Sequence, residues 1–186
     1  MFIVLGLGNP GASYGKTRHN AGFMAVDCLA SESGVKLDRQ GDGYVYGVCR
    51  VGEEEVVLAK PLTYMNLSGV AVERLLRYYN ASSASLIVVY DDCDLELGRL
   101  RIRKDGGTGG HRGVASIMER LGTADFLRLR LGIGRAPEGM ELSDYVLLPF
   151  GTEEKEVFED ELKRAAAALT DIIKNGADFA MNLYNG

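Results

Sequence analysis

Residues 2–30 constrain the fold more than any other stretch. An apolar run, Phe2-Ile3-Val4-Leu5, leads into G-L-G-N-P-G-A-S-Y-G-K-T-R-H-N (6–20), and Ala21 to Ala30 then reads as a helix. A short aliphatic run, a glycine-rich turn and a helical segment together read as a buried strand feeding a helix across a sheet. In α/β proteins the loop leaving such a strand is where binding and catalytic groups are placed. This loop holds Asn9, Tyr14, Arg18, His19 and Asn20, and His19 is one of only two histidines in the chain.

Gly6, Gly8 and Gly11 match the dinucleotide pattern G-x-G-x-x-G. That pattern needs a helix opening at its third glycine, so that free amides meet the pyrophosphate. Here the helical pattern starts about ten residues later, near Asn20, after a polar span containing Gly15. No carboxylate ends a second strand ~20 residues past the glycines. The stretch therefore argues against a nucleotide cofactor. Tight turning accounts for Gly6 and Gly8, but not for the polar side chains that follow.

The rest of the chain alternates strand and helix signals. Lys36–Asp38, Tyr44–Arg50 and Val56–Ala59 read as strands, the last two as a hairpin turning at Gly52-Glu53. Residues 60–66 read as a loop, and Leu67–Tyr79 as a helix with Val72, Leu75, Leu76 and Tyr79 on one face. Leu86–Tyr90 is continuously apolar, as a strand covered on both faces should be, and it ends in Asp91-Asp92-Cys93-Asp94. Leu100–Arg103 and Phe126–Gly134 alternate at period two, with Arg101 and Arg103 on one face and Arg128 and Arg130 on another. Gly106–Gly110 reads as a flexible loop, His111–Leu121 as a helix and Ala136–Ser143 as a mobile surface loop. Glu153–Lys174 reads as a long helix capped by Thr152, with Glu153, Glu154 and Glu156 favouring its N-terminal dipole, and Gly176–Leu183 as a final short one. The interleaving predicts an α/β fold, a single globular domain over 1–186 with a mixed, mostly parallel central sheet flanked by helices.

Composition closes off other classes. With 46% hydrophobic residues the chain can bury an ample core, yet no apolar run is long enough for a membrane span. The N-terminus lacks the basic and long apolar regions of a signal peptide. Cys28, Cys49 and Cys93 are odd in number and widely spaced, so neither a disulfide framework nor a metal-binding pair is expected, and the cytoplasm is the natural compartment. The net charge of −5 speaks against nucleic acid at first sight. However, residues 99–135 hold nine Arg or Lys against three acids, a local +6, while the remainder carries −11. A basic stripe on an acidic body can still grip phosphates.

Three polar loops, 9–20, 60–66 and 91–96, each follow an expected strand. If those strands share a sheet, the loops gather Asn9, His19, Met65, Asn66 and Asp91 at one rim. A carboxylate that fixes a histidine tautomer makes it a general base, and asparagine amides can hold a carbonyl or an oxyanion. Asp91, Asp92, Asp94 and Glu96 could instead bind Mg²⁺, although Leu95 and Leu97 interrupt them as in an ordinary turn. Cys93 stands among acids, which raise a thiol pKa and disfavour a nucleophile. No G-x-S-x-G elbow is present, so water activated by His19 is the simplest hydrolytic scheme.

These residues resemble the bacterial-type peptidyl-tRNA hydrolases. The matching stretches are G-L-G-N-P-G-x-x-Y-x-x-T-R-H-N-x-G (6–22), K-P-x-T-Y-M-N-x-S-G (60–69), D-D-x-D-L-x-x-G (91–98), G-G-x-G-G-H-x-G (106–113), F-x-R-L-R-x-G-I-G (126–134) and A-M-N-x-Y-N (180–185). They run in order over nearly the whole chain. The resemblance implies hydrolysis of the ester joining a peptide, or an N-blocked aminoacyl group, to the terminal ribose of tRNA, which recycles tRNA from abandoned translation. It implies His19 as general base, Asp91 as its partner, and Asn9 as a contact to the peptide backbone that separates blocked from unblocked substrates. Asn66 would lie near the scissile carbonyl, with Tyr14, Tyr64 and Met65 lining the cleft. Arg101, Arg103 and Arg130 would meet tRNA phosphates, His111 would sit by the cleft mouth, and 136–143 would act as a lid. A monomer with no cofactor and no metal is implied, with tRNA rather than DNA or membrane as partner. One departure stands out: the family pattern G-G-H-N-G reads Gly109-Gly110-His111-Arg112-Gly113, and Arg112 can meet a phosphate but accepts no hydrogen bond.

Two other functions stay open at this level. One is an RNA-binding relative that keeps the scaffold without catalysis, as in plant-organelle splicing; such proteins are expected to carry a transit peptide, whereas this sequence begins at its first strand. The other is an esterase without RNA contact, which would lack the salt dependence that phosphate contacts impose.

Overall fold

The computed structural model describes residues 1–186. Four strands, β1 (Phe2–Gly6), β4 (Glu54–Pro61), β5 (Leu86–Asp92) and β7 (Leu127–Gly132), form a parallel centre. Three more, β2 (Arg39–Gly41), β3 (Tyr44–Val51) and β6 (Leu100–Arg103), add antiparallel edges. The order is β2-β3-β4-β1-β5-β7-β6. This is the expected α/β domain with a mixed sheet.

Helices cover both faces. On one lie α1 (Ala21–Glu32), α5 (Thr152–Asn175) and α6 (Ala177–Tyr184), and on the other α2 (Ser68–Tyr78) and α3 (Arg112–Leu121). Successive strand residues feed the two layers in turn. Val4, Ile87 and Val89 pack with Leu29, Phe158 and Leu169; Ile3, Leu5 and Val88 pack with Val72, Leu75 and Ile117. That is why β1 and β5 read as unbroken apolar runs. Each such side chain, fully buried, is worth about 1.5–3 kcal/mol. The short α4 (Leu142–Tyr145) lies off the sheet. No helix is long and apolar enough to cross a membrane.

Glycine sets the closest approach. A Cβ on Gly6 would collide with the Gly22 carbonyl, and one on Gly22 with the Val89 carbonyl and the Leu7 backbone. Gly6 and Gly22 together therefore let α1 lie against β1 and β5. Two short 3₁₀ turns, Ala12–Tyr14 and Arg18–Asn20, occupy the span where a dinucleotide fold would already be helical.

Two local expectations fail. Residues 36–38 form no strand; pairing begins at Arg39. The chain there crosses β3 at Gly47, where a Cβ would strike the Lys36 carbonyl, so this stretch packs against the sheet instead of joining it. Thr152 does not cap α5. Gly151 is the cap residue, and its N–H is satisfied by the Glu154 carboxylate at 2.6 Å. The expected hairpin turn at Gly52-Glu53 is found, as are the helices at 68–78, 112–121 and 177–184, within a residue or so of the sequence reading.

Candidate active site

β4, β1 and β5 are parallel neighbours, so the loops leaving them emerge at one edge of the sheet. α1 and α2 cover opposite faces, which opens a crevice at this edge. A cleft of about 850 Å³ lies there. Every residue expected in the site lines it except Arg101.

His19 and Asp91 meet as expected: His19 Nδ1 lies 3.0 Å from both Asp91 carboxylate oxygens. Asp91 is buried and has a second partner, His111, whose Nε2 lies 3.0 Å from Oδ1. His111 lines the cleft with its side chain largely buried. It caps α3 from inside, its Nδ1 accepting from the Gly113 and Val114 amides. A ring nitrogen that accepts from amides carries no proton, so Nε2 must hold the proton and donate it to Asp91. By the same logic His19 donates from Nδ1 to a carboxylate acceptor. Its Nε2 is left as a lone pair in the cleft, hydrogen-bonded to no protein group. Burial opposes the charge on Asp91, but the two imidazoles outweigh it and hold the carboxyl well below the ordinary range.

His19, Asp91 and His111 also have the composition of a metal site. The hydrogen bonding argues otherwise. A cation on His111 Nε2 would displace its proton while Nδ1 still accepts from two amides, and the ring would have to become an imidazolate. The Asp91–Asp94 run is likewise committed. Asp92 pairs with Arg130 and accepts from the Asp94 amide, and Asp94 itself is exposed. Burial, aided by Asp94 and Asp92, pushes the Cys93 thiol pKa up, which disfavours the thiolate a nucleophile needs.

Asn9 is oriented by its surroundings. Its Oδ1 accepts from the Met65 amide at 2.9 Å, which turns its side-chain NH₂ away from that bond. Asn20, unassigned by the sequence reading, grips the Asn9 backbone from both sides: its Oδ1 accepts from Asn9 N–H and its Nδ2 donates to the Asn9 carbonyl. Its burial is the signal that it is structural, and burial is not written in the sequence. Met65 is buried, while Tyr64 and Asn66 stand exposed on the same wall. Leu142, Ser143, Val146 and Leu147, in and after α4, form the facing wall.

The basic stripe divides. Arg101 faces Arg130 across β6 and β7, and Arg103 faces Arg128. Arg103 and Arg112 are exposed in the cleft and make no ion pair. Arg130 is paired with Asp92. Arg101 lies beyond the cleft lining. Arg128 departs furthest from the expected basic face, being only 1% exposed. Its guanidinium donates to the carbonyls of Ala124, Phe126 and Gly106 and stacks on the Phe126 ring. It anchors the start of the 106–110 glycine loop and is not a free surface charge.

A family model described as peptidyl-tRNA hydrolase matches residues 3–186. A curated peptidyl-tRNA hydrolase of Symbiobacterium thermophilum is 48% identical over 185 residues, covering 98% of each chain. One from Dehalococcoides mccartyi is 47% identical over 188 residues, covering all of both. Among solved structures, peptidyl-tRNA hydrolase from Acinetobacter baumannii superposes with a TM-score of 0.92 at 31% identity, over 100% of this chain and 95% of that one.

Proposed function

We infer the mechanism from one premise: the chain belongs to the peptidyl-tRNA hydrolase family. It is an enzyme, and it hydrolyses peptidyl-tRNA. The bond broken is the ester between the peptide and the 3′-terminal ribose. A non-catalytic RNA-binding role is not favoured, because the curated relatives are named hydrolases.

His19 acts as general base. Its Nε2 takes a proton from water, and the resulting hydroxide attacks the ester carbonyl carbon. Asp91 keeps the proton on Nδ1 and stabilises the imidazolium that forms. The tetrahedral intermediate collapses, the bond from carbonyl carbon to ribose oxygen breaks, and the imidazolium returns its proton to that oxygen. The products are a peptide acid and a tRNA with a free ribose hydroxyl. The Asn9 NH₂ contacts a peptide carbonyl, and Asn66 lies near the scissile carbonyl and the tRNA end. Tyr14, Tyr64 and Met65 line the groove. Arg103, Arg112 and Arg130, with Arg101 beyond them, meet tRNA phosphates. His111 holds Asp91 without touching substrate. The enzyme works as a cytoplasmic monomer on tRNA, without cofactor or metal, and the segment 136–143 covers the cleft as a lid.

The observation that supports this reading best is His19 itself: one ring nitrogen tied to a buried carboxylate, the other unspent and facing the cleft. The test is release of tRNA from N-acetyl-aminoacyl-tRNA and from unblocked aminoacyl-tRNA, with wild type beside His19→Ala. Cleavage of the blocked substrate alone, lost in the variant with tRNA binding retained, is the expected result. Near-normal turnover by His19→Ala would remove the base.

A further inference from the structure

We propose that Arg18 is a positioning residue that locks the α4 wall of the cleft to the backbone of His19. The proposal rests on the reading of His19 as general base.

Residues 17–19 run beside residues 146–149. Thr17 forms an antiparallel bridge with Pro149, Arg18 N–H donates to the Leu148 carbonyl at 3.0 Å, and His19 N–H donates to the Val146 carbonyl at 2.8 Å. The backbone of the catalytic residue is thus bonded to a residue of the opposite wall. Alone, these bonds would be exposed to fraying, since Leu147 and Leu148 are exposed and α4 has a single turn.

The Arg18 side chain closes the assembly. Its Nη1 donates to the Pro149 carbonyl at 2.5 Å, and its Nη2 to Glu154 at 2.6 Å. The guanidinium carbon lies 4.4 Å from the Tyr145 ring centroid and 5.1 Å from that of Phe150. All these partners belong to residues 145–154. Glu154 fixes the far end by capping α5 at Gly151, and Tyr145 fixes the near end by donating from its hydroxyl to the Ile133 carbonyl at the end of β7. The planar guanidinium can bond and stack at once, which a lysine ammonium cannot do. The side chain is only 7% exposed, so its charge is spent on this segment rather than offered to phosphate. Wall and base therefore move together. The backbone bonds place His19 against this wall, and the Arg18 side chain holds that placement.

Arg18→Met is the informative change. It keeps an unbranched apolar stem beside the two rings, but it leaves Glu154 without its ion-pair partner and so lowers stability as well, which is why the rate is read per folded molecule. Single-turnover rates on fully folded protein, well below its melting temperature, should fall about tenfold or more, as small misplacements of a reacting group do, with KM moving less than twofold. Arg18→Lys should recover part of that loss. Glu154→Gln, which leaves the guanidinium stacked but removes its carboxylate, should show a smaller fall in the same direction. If Arg18→Met does not fold, Glu154→Gln carries the test alone. A lower melting temperature with an unchanged rate per folded molecule would reduce Arg18 to a stabilising residue and overturn the proposal. His19→Ala, run alongside, separates the two readings. Turnover in His19→Ala removes the base itself; a dead His19→Ala with a fully active Arg18→Met removes only the positioning role.

Discussion

Asp91 receives two histidines, and the two are not equivalent. His19 offers its second nitrogen to the cleft, whereas His111 spends its own on the α3 amides. His111→Ala should therefore cost helix capping, about 1 kcal/mol of unfolding free energy by urea titration, together with part of the turnover rate. Unchanged turnover would show that Asp91 needs only one partner. The arginines separate in the same way. Arg130→Ala should weaken tRNA binding and lower the slope of log affinity against log salt by about one. An unaltered slope would take Arg130 out of the phosphate contacts. Arg128→Ala should instead lower stability, because three carbonyls lose their donor and a buried side chain is removed.

At the scale of elements, α1 is held where backbone meets backbone. Gly22→Ala places a methyl against the Val89 carbonyl and the Leu7 backbone, neither of which can swing aside as a side chain would. It should lower stability by about 1–3 kcal/mol and lower activity with it, since the loop preceding α1 carries His19. A denaturation midpoint equal to wild type would mean that α1 can shift without consequence. α5 gives a contrast at its N-terminus. Thr152→Ala should stay within about 0.5 kcal/mol, because Thr152 makes no capping bond. The sequence made Thr152 the natural cap; the side chain that caps belongs to Glu154, which the Pro149-Phe150-Gly151 approach brings back onto the Gly151 amide.

The whole molecule carries one buried carboxyl away from the cleft. Glu161 on α5 accepts from the Gly98 amide, and its other oxygen has no partner. Burial, only partly opposed by the Gly98 and Gly132 amides and Arg164, pushes its pKa up to about 8 from 4.5. The folded protein then keeps a proton that the unfolded chain gives up near 4.5. The stability this group contributes is complete below pH 4.5 and declines as the pH rises to about 8. Glu161→Gln should flatten that decline in urea unfolding measured across the window. Equal slopes in the two proteins would place the Glu161 pKa near its ordinary value. Charge at this scale is unevenly spread: the chain is −5 overall, yet Arg103 and Arg112 line the cleft without an ion-pair partner.

The sequence alone determined the alternation of strands and helices and the polar loops that hold Asn9, His19, Met65, Asn66 and Asp91, whose roles the family resemblance supplied. These are local facts, written in hydrophobic period, turn residues and rare polar side chains. Tertiary structure alone decided which polar groups face one another. Arg128 and Arg130 are two residues apart on one strand and look alike in sequence, yet the first is buried and spent on three backbone carbonyls while the second pairs with Asp92. His111 and Asn20 became partners of Asp91 and Asn9 only when the segments between them folded back on themselves. Burial and hydrogen-bond partnership are properties of neighbours in space, and a sequence records only neighbours along the chain.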